Sequence, residues 1–178
     1  MSESKPIELP SLLPMQAEVG NGIAAFSTVE SFLALLYATL MNPAPRKLSL
    51  LSFDAARHIE IKCRMLKAVA PHVLSETDFK DFDKIMQRVK RRTDMRHKVA
   101  HWQVTHWHKN QPVSTEKEIR EFEPRLIPAY FSAGNLDFVP ENPIGMSELK
   151  DFASGCRVLA NDIIQFSMRF PNRQDDKE

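Results

Sequence analysis

Cysteine is scarce in this chain: only Cys63 and Cys156 occur, and they form no CxxC pair. They read as reduced thiols packed as small hydrophobes in a cytoplasmic protein, with a buried disulfide as the lesser alternative. An excess of one charge is missing too. Lys and Arg number 24 against 23 Asp and Glu, a formal net charge of +1, so no global field selects nucleic acid or an anionic membrane and any such preference must be local. The opening "MSESKPIELPSLLPMQ" carries acids and prolines and no basic stretch before an apolar core. It does not read as a secretory signal, and residues 1–18 are expected to form a flexible arm. A clean apolar run of spanning length is lacking as well. The most apolar stretch, Ile23 to Met41, is interrupted by Ser27, Thr28, Glu30 and Ser31 and falls short of about 20 uninterrupted residues. It is expected to be a bundle helix, with no membrane as partner. There is no internal repeat and no low-complexity segment.

What is present suits one domain. A chain of 178 residues, 43% apolar and 26% charged, can bury a sizeable core. Gly20 and Gly22 precede an apolar run that the Asn42-Pro43-Ala44-Pro45 turn ends, which predicts a first helix. "LSLLSFDAARHIEIKCRMLKAVAPHVLS" predicts a second, capped by Ser49 or Ser52, with Ala55, Ile59, Leu66 and Val69 on one face. Ser75 or Thr77, with Asp78 in the first turn, starts a long third helix through Trp102. "QVTHWH", "RLIPAYFS" and "NLDFV" are short β-favouring runs. Ser147 then caps a last helix with Leu149, Phe152, Val158, Leu159, Ile163 and Phe166 on its apolar face. The expected fold is all-α: an antiparallel bundle of four to five helices over residues 19–170, with a small hairpin or irregular excursion between helices three and four. Residues 171–178 read as a disordered tail.

On the third helix, Phe82, Ile85, Val89, Val99 and Ala100 fall on one stripe at about 100° per residue, and Arg92 and Arg96 occupy that stripe between Val89 and Val99. An arginine facing a bundle interior needs a partner, since an unpaired buried charge is costly. Glu30, among Ile23, Phe26, Leu33 and Tyr37 on the first helix, is the candidate for Arg96. The other reading puts both arginines past the bundle's end, reaching into solvent.

Four of the six histidines, His97, His101, His106 and His108, fall within twelve residues. His97 and His101 share a helix face, the spacing by which two imidazoles grip a transition metal, but no HExxH glutamate lies between them and a third ligand would have to come from elsewhere. Surface histidines are the plainer reading, and no metal or other cofactor is expected. Neutral imidazole also moves protons near pH 7, and a neighbouring guanidinium can hold a phosphate. From Lys84 to Lys109 there are eight Lys or Arg and one acid, Asp94, a local basic strip fit for a polyanion. Arg91, Lys98 and Trp102 are its candidate RNA contacts. Trp102 and Trp107 can stack on a base, although core packing of at least one is the commoner use. Arg96 and His101 are about 140° apart around an ideal helix. Either the helix bends or ends near His101, or a second copy completes the site across a two-fold axis.

The stretch "RHKVAHW", residues 96–102, resembles the R-x4-6-H signature of the HEPN superfamily, with Arg96 as motif arginine and His101 as motif histidine. His97 stands at the position after the arginine, polar in the family and usually asparagine. HEPN domains are helical bundles with the motif toward the end of a long helix, and many carry an acid on an earlier helix, where Glu30 stands. The resemblance implies a homodimeric, metal-independent endoribonuclease. His101 would assist attack of a ribose 2′-hydroxyl on the adjacent phosphate and Arg96 would steady that phosphate, with His97, Glu30 and Arg92 in support. Other members are inactive modules that bind a nucleotide or a partner protein, or toxins neutralised by an antitoxin protein.

Overall fold

The computed structural model describes residues 9–42, 44–107, 122–129 and 142–170. Among these, five helices, α1 (Leu13–Leu40), α2 (Arg46–Ala55), α3 (Ile59–Val73), α4 (Glu76–His101) and α5 (Met146–Ser167), surround one apolar core, and a two-stranded antiparallel hairpin, β1 (Trp102–Trp107) and β2 (Glu123–Pro128), separates α4 from α5. The fold is the all-α bundle with a hairpin excursion that the sequence predicts. "NLDFV", Pro43, residues 1–8 and the tail at 171–178 lie outside the described residues.

Helix α1 starts earlier than its glycines suggest. Pro14 sits in its first turn, where a missing N–H costs nothing, and the Leu13 amide donates to Ser11 Oγ at 3.3 Å. Residues 13–18 are therefore helical, and Gly20 and Gly22 lie inside the helix. The resulting 28-residue helix is long and apolar enough to cross a membrane by length and composition alone, with a mean hydropathy of 1.6 over its most apolar stretch and 44% of that stretch buried in the bundle. Its buried stripe begins at Met15, and two turns on Gly22, Phe26, Val29, Leu33, Leu36 and Leu40 alternate steps of four and three. So do Leu149, Phe152, Cys156, Leu159, Ile163 and Phe166 on α5. Two such stripes interdigitate along their length, and α1 against α5 is the most extensive helix pair.

Paired contacts give the directions. Phe26 stacks on Phe152, and Leu35 and Thr39 share a groove with Ile164 and Ser167, so α1 and α5 run parallel. Phe82 meets Phe166, Arg88 meets Asp162 and Arg92 meets Asp151, so α4 runs against them. Antiparallel α4 brings its last turn to the end of the bundle where α1 and α5 begin.

The second expected helix is two. Ala56 and His58 are extended between α2 and α3. Phe53 and Ile59 are both buried, yet six residues turn an α-helix through about 240°, so one straight helix cannot send both inward. Ser49 and Ser52 lie within α2, bonding to the carbonyls of Pro45 and Ser49, and cap nothing. Ala55 is exposed and Val69 half-buried. Ser75 does cap α4, its Oγ accepting from the Asp78 amide at 3.1 Å. Helix α5 starts at Met146 rather than at a Ser147 cap: the Gly145 amide donates to Glu148 Oε2 at 2.9 Å. Val158, expected on its apolar face, is 54% exposed.

Two glycines on α1 make a matched test of this packing. A Cβ on Gly22 would stand 2.9 Å from the Phe152 ring, whereas one on Gly20 would meet nothing within 4 Å. Gly20→Ala should raise stability by about 1 kcal/mol through helix propensity. Gly22→Ala should lower it, because overpacking against a buried ring costs about 1–3 kcal/mol. Thermal denaturation of the two variants reads the opposite signs.

Candidate functional site at the end of α4

Helix α4 ends at His101 because the next residues suit a strand: Trp102, Val104, Thr105 and Trp107 are aromatic or β-branched. Trp102 is already extended (φ −89°, ψ 160°) while its amide still donates to the Lys98 carbonyl. Strand β1 pairs with β2 in the register Trp102↔Pro128 to Trp107↔Glu123, and β2 is tied to Ile144 by two backbone hydrogen bonds between Leu126 and Ile144, each 2.9 Å. Leu126, Ile127 and Ile144 are buried. The hairpin thus anchors the residues that follow the motif.

The stripe on α4 is rotated from the expected one. Phe82, Ile85, Met86, Val89, Thr93 and Val99 are buried, and Ala100 is exposed. Thr93 occupies the middle position, its hydroxyl donating to the Val89 carbonyl at 3.0 Å, which sends Arg92 and Arg96 to the edges, half-buried. Glu30 is not the partner of Arg96. The buried face of α1 runs through Phe26, Val29 and Leu33, so Glu30 lies at its margin and approaches Lys62 of α3 at 3.9 Å. That pair lines an open groove of about 470 Å³ with Ser27, Ser31 and Asp54. Arg96 makes no ion pair among the described residues.

The carboxylate that reaches the motif is Glu60. His97 Nε2 lies 3.1 Å from Glu60 Oε1, and the Glu60 carboxyl is held below its usual value, first by a hydrogen bond from its own backbone amide and then by His97. Nothing in the periodicity of either helix marks that pair, since it depends on the break that starts α3 at Ile59. The rings of His97 and His101 stack with centroids 6.2 Å apart and planes at 13°. Both side chains are exposed, and among the described residues no three His, Cys, Asp or Glu side chains gather as a metal would require. Arg96 stands about 100° from His97 and about 140° from His101 around α4. The helix ends at His101 without turning the two motif residues to one face.

The expected RNA contacts are in varied states. Lys98 Nζ lies over the Trp102 ring, 5.4 Å from its centroid, an exposed cation–π contact, and Trp102 also packs against the core. Arg91 is exposed. Arg92 Nη1 donates to the Asp151 carbonyl at 3.4 Å. His106 Nε2 is 2.7 Å from the Pro10 carbonyl, tying β1 to the segment before α1, and His108 lies outside the described residues. Cys63 and Cys156 are free, and burial pushes both thiols up to about 11, which keeps them protonated and poor nucleophiles at neutral pH.

Compared with known proteins, the chain matches no family model, no curated protein and no solved structure.

Proposed function

We propose that this protein is a metal-independent endoribonuclease that cuts single-stranded RNA at a site shared by two copies of the chain. The observation that carries the reading is Arg96: a half-buried arginine without a carboxylate partner among the described residues, next to His97 and five residues before His101, an exposed, stacked pair at a helix end. A guanidinium so placed is free to take a phosphate through its planar fork. His101 withdraws the proton of the ribose 2′-hydroxyl, the 2′-oxygen attacks the adjacent phosphorus, the bond from phosphorus to the 5′-oxygen breaks, and the 5′-oxygen leaves as a hydroxyl with a proton taken from solvent water. Arg96 balances the charge that grows on the phosphoryl oxygens. The products are a 2′,3′-cyclic phosphate and a 5′-hydroxyl. Because Arg96 and His101 of one chain face different ways, Arg96 of one copy works with His101 of the other across a two-fold axis. Glu60 fixes the ring of His97 beside His101, the supporting role that the sequence offers to Glu30.

A non-catalytic module that binds a nucleotide or a partner protein is the second reading, favoured by the same divergence of Arg96 and His101 within one chain. Cleavage separates the two. Incubated with single-stranded RNA in excess chelator, the protein should release fragments with 2′,3′-cyclic ends and leave DNA of the same sequence intact. Intact RNA after long incubation, or equal cutting of DNA, contradicts the nuclease.

A further inference from the structure

One turn behind Arg96 lies a cleft of about 390 Å³ whose lining among the described residues is Arg88, Arg91 and Arg92. Two of them are braced from behind by α5. Arg88 Nη1 donates to Asp162 Oδ2 at 2.5 Å. The Arg92 guanidinium fills the space that a Cβ on Gly155 would occupy. Arg91 has no carboxylate partner among the described residues. Three cations within one turn repel one another, and among the described residues only Arg88 has a carboxylate partner, Asp162. Such a set of cations attracts an anion, and braced guanidiniums favour the forked geometry of phosphate oxygens. Arg88, Arg92 and Arg96 also recur every fourth residue, a rise of about 6 Å per step along the helix. A row of that spacing follows the repeat of an extended phosphodiester strand, as charged grooves for single strands do.

We infer that the cleft between α4 and α5 is a phosphate track that holds consecutive phosphates of the RNA strand beyond the bond being cut. This rests on the nuclease reading for its substrate, and it makes that substrate a single strand of several nucleotides rather than a dinucleotide. The chemistry recognised is the phosphate oxyanion, which a free nucleotide also carries.

The test measures anisotropy of a short labelled single-stranded oligoribonucleotide against salt, in the His101→Ala background so that the strand stays whole. Arg91→Ala should weaken binding several-fold and flatten the slope of log affinity against log salt by about 0.7, the loss of one phosphate contact. Gly155→Ala, which keeps every charge but drives the Arg92 guanidinium from its seat, should weaken binding too. Lys67→Ala, an equal loss of charge on the exposed face of α3, should do neither. Binding indifferent to Arg91→Ala and Gly155→Ala overturns the track. So does Arg91-dependent binding of inorganic tripolyphosphate without binding of the strand, which assigns the cleft to a free nucleotide. Arg91-dependent strand binding by a protein that cuts no RNA keeps the track and removes the nuclease. Cleavage with Arg91-indifferent binding does the reverse.

Discussion

Arg96→Ala is expected to lower the rate of RNA cleavage by about 10²–10³-fold, the usual loss when one preorganised donor to a developing oxyanion is removed. His101→Ala should cost about 10²–10⁴-fold, the range for a general acid or base. Neither change should unfold the chain, because His101 is exposed and Arg96 lies at the edge of the α4 stripe, whose centre is held by Val89, Thr93 and Val99. Arg96→Lys keeps the charge and loses the fork, so partial activity is expected. Rates from gel-resolved cleavage, with circular dichroism to confirm the fold, give the comparison. Arg96→Ala that cuts as fast as the parent removes the arginine from the chemistry.

The largest effect on stability is expected at Phe152. Its ring is 1% exposed, stacks on Phe26 with centroids 6.4 Å apart, and lies against Gly22. It therefore joins α1 to α5 at the end of the bundle where α4 stops. Phe152→Ala should cost about 3–5 kcal/mol, a large part of a domain's typical 5–15 kcal/mol, and lower the melting temperature on the order of 10 °C. Val158→Ala, on the same helix, should change stability by no more than about 0.5 kcal/mol because that side chain is largely exposed. Equal losses from the two would mean that α5 is rotated from the orientation described.

Those two residues also show what the sequence could and could not say. Both belong to an apolar pattern at helical spacing, and the all-α bundle, the long α4, Ser75 as one of two candidate caps and the hairpin after Trp102 are legible from such patterns and from capping chemistry, whereas α2 and α3 read as one helix. A helical pattern gives a period, but it fixes the absolute rotation only to within about one residue's 100°. With that uncertainty the pattern places Val158 inside, pairs Glu30 with Arg96 and offers the two arginines either to the core or to solvent past the bundle's end. On α1 the deciding residues are Val29 and Leu36, whose burial turns Glu30 to the margin toward Lys62. The start of α1 had a readable signal in Pro14, and the break between α2 and α3 had one in the six-residue gap from Phe53 to Ile59. The Glu60–His97 pair joins residues 37 apart through the antiparallel packing of α3 on α4, and no local pattern carries that.

Under the proposed mechanism Arg96 and His101 act on one phosphate from different copies of the chain. Mixing the two inactive variants separates that arrangement from a site within one chain. If Arg96→Ala and His101→Ala subunits exchange at random in equal amounts, half of the dimers are mixed and each holds one site with both residues intact, so about a quarter of the parent's activity should return. Return of activity near that level supports a site shared between copies. Mixed dimers that form, as a mass measurement with one heavier variant would show, yet cut no RNA while the parent does, would contradict it.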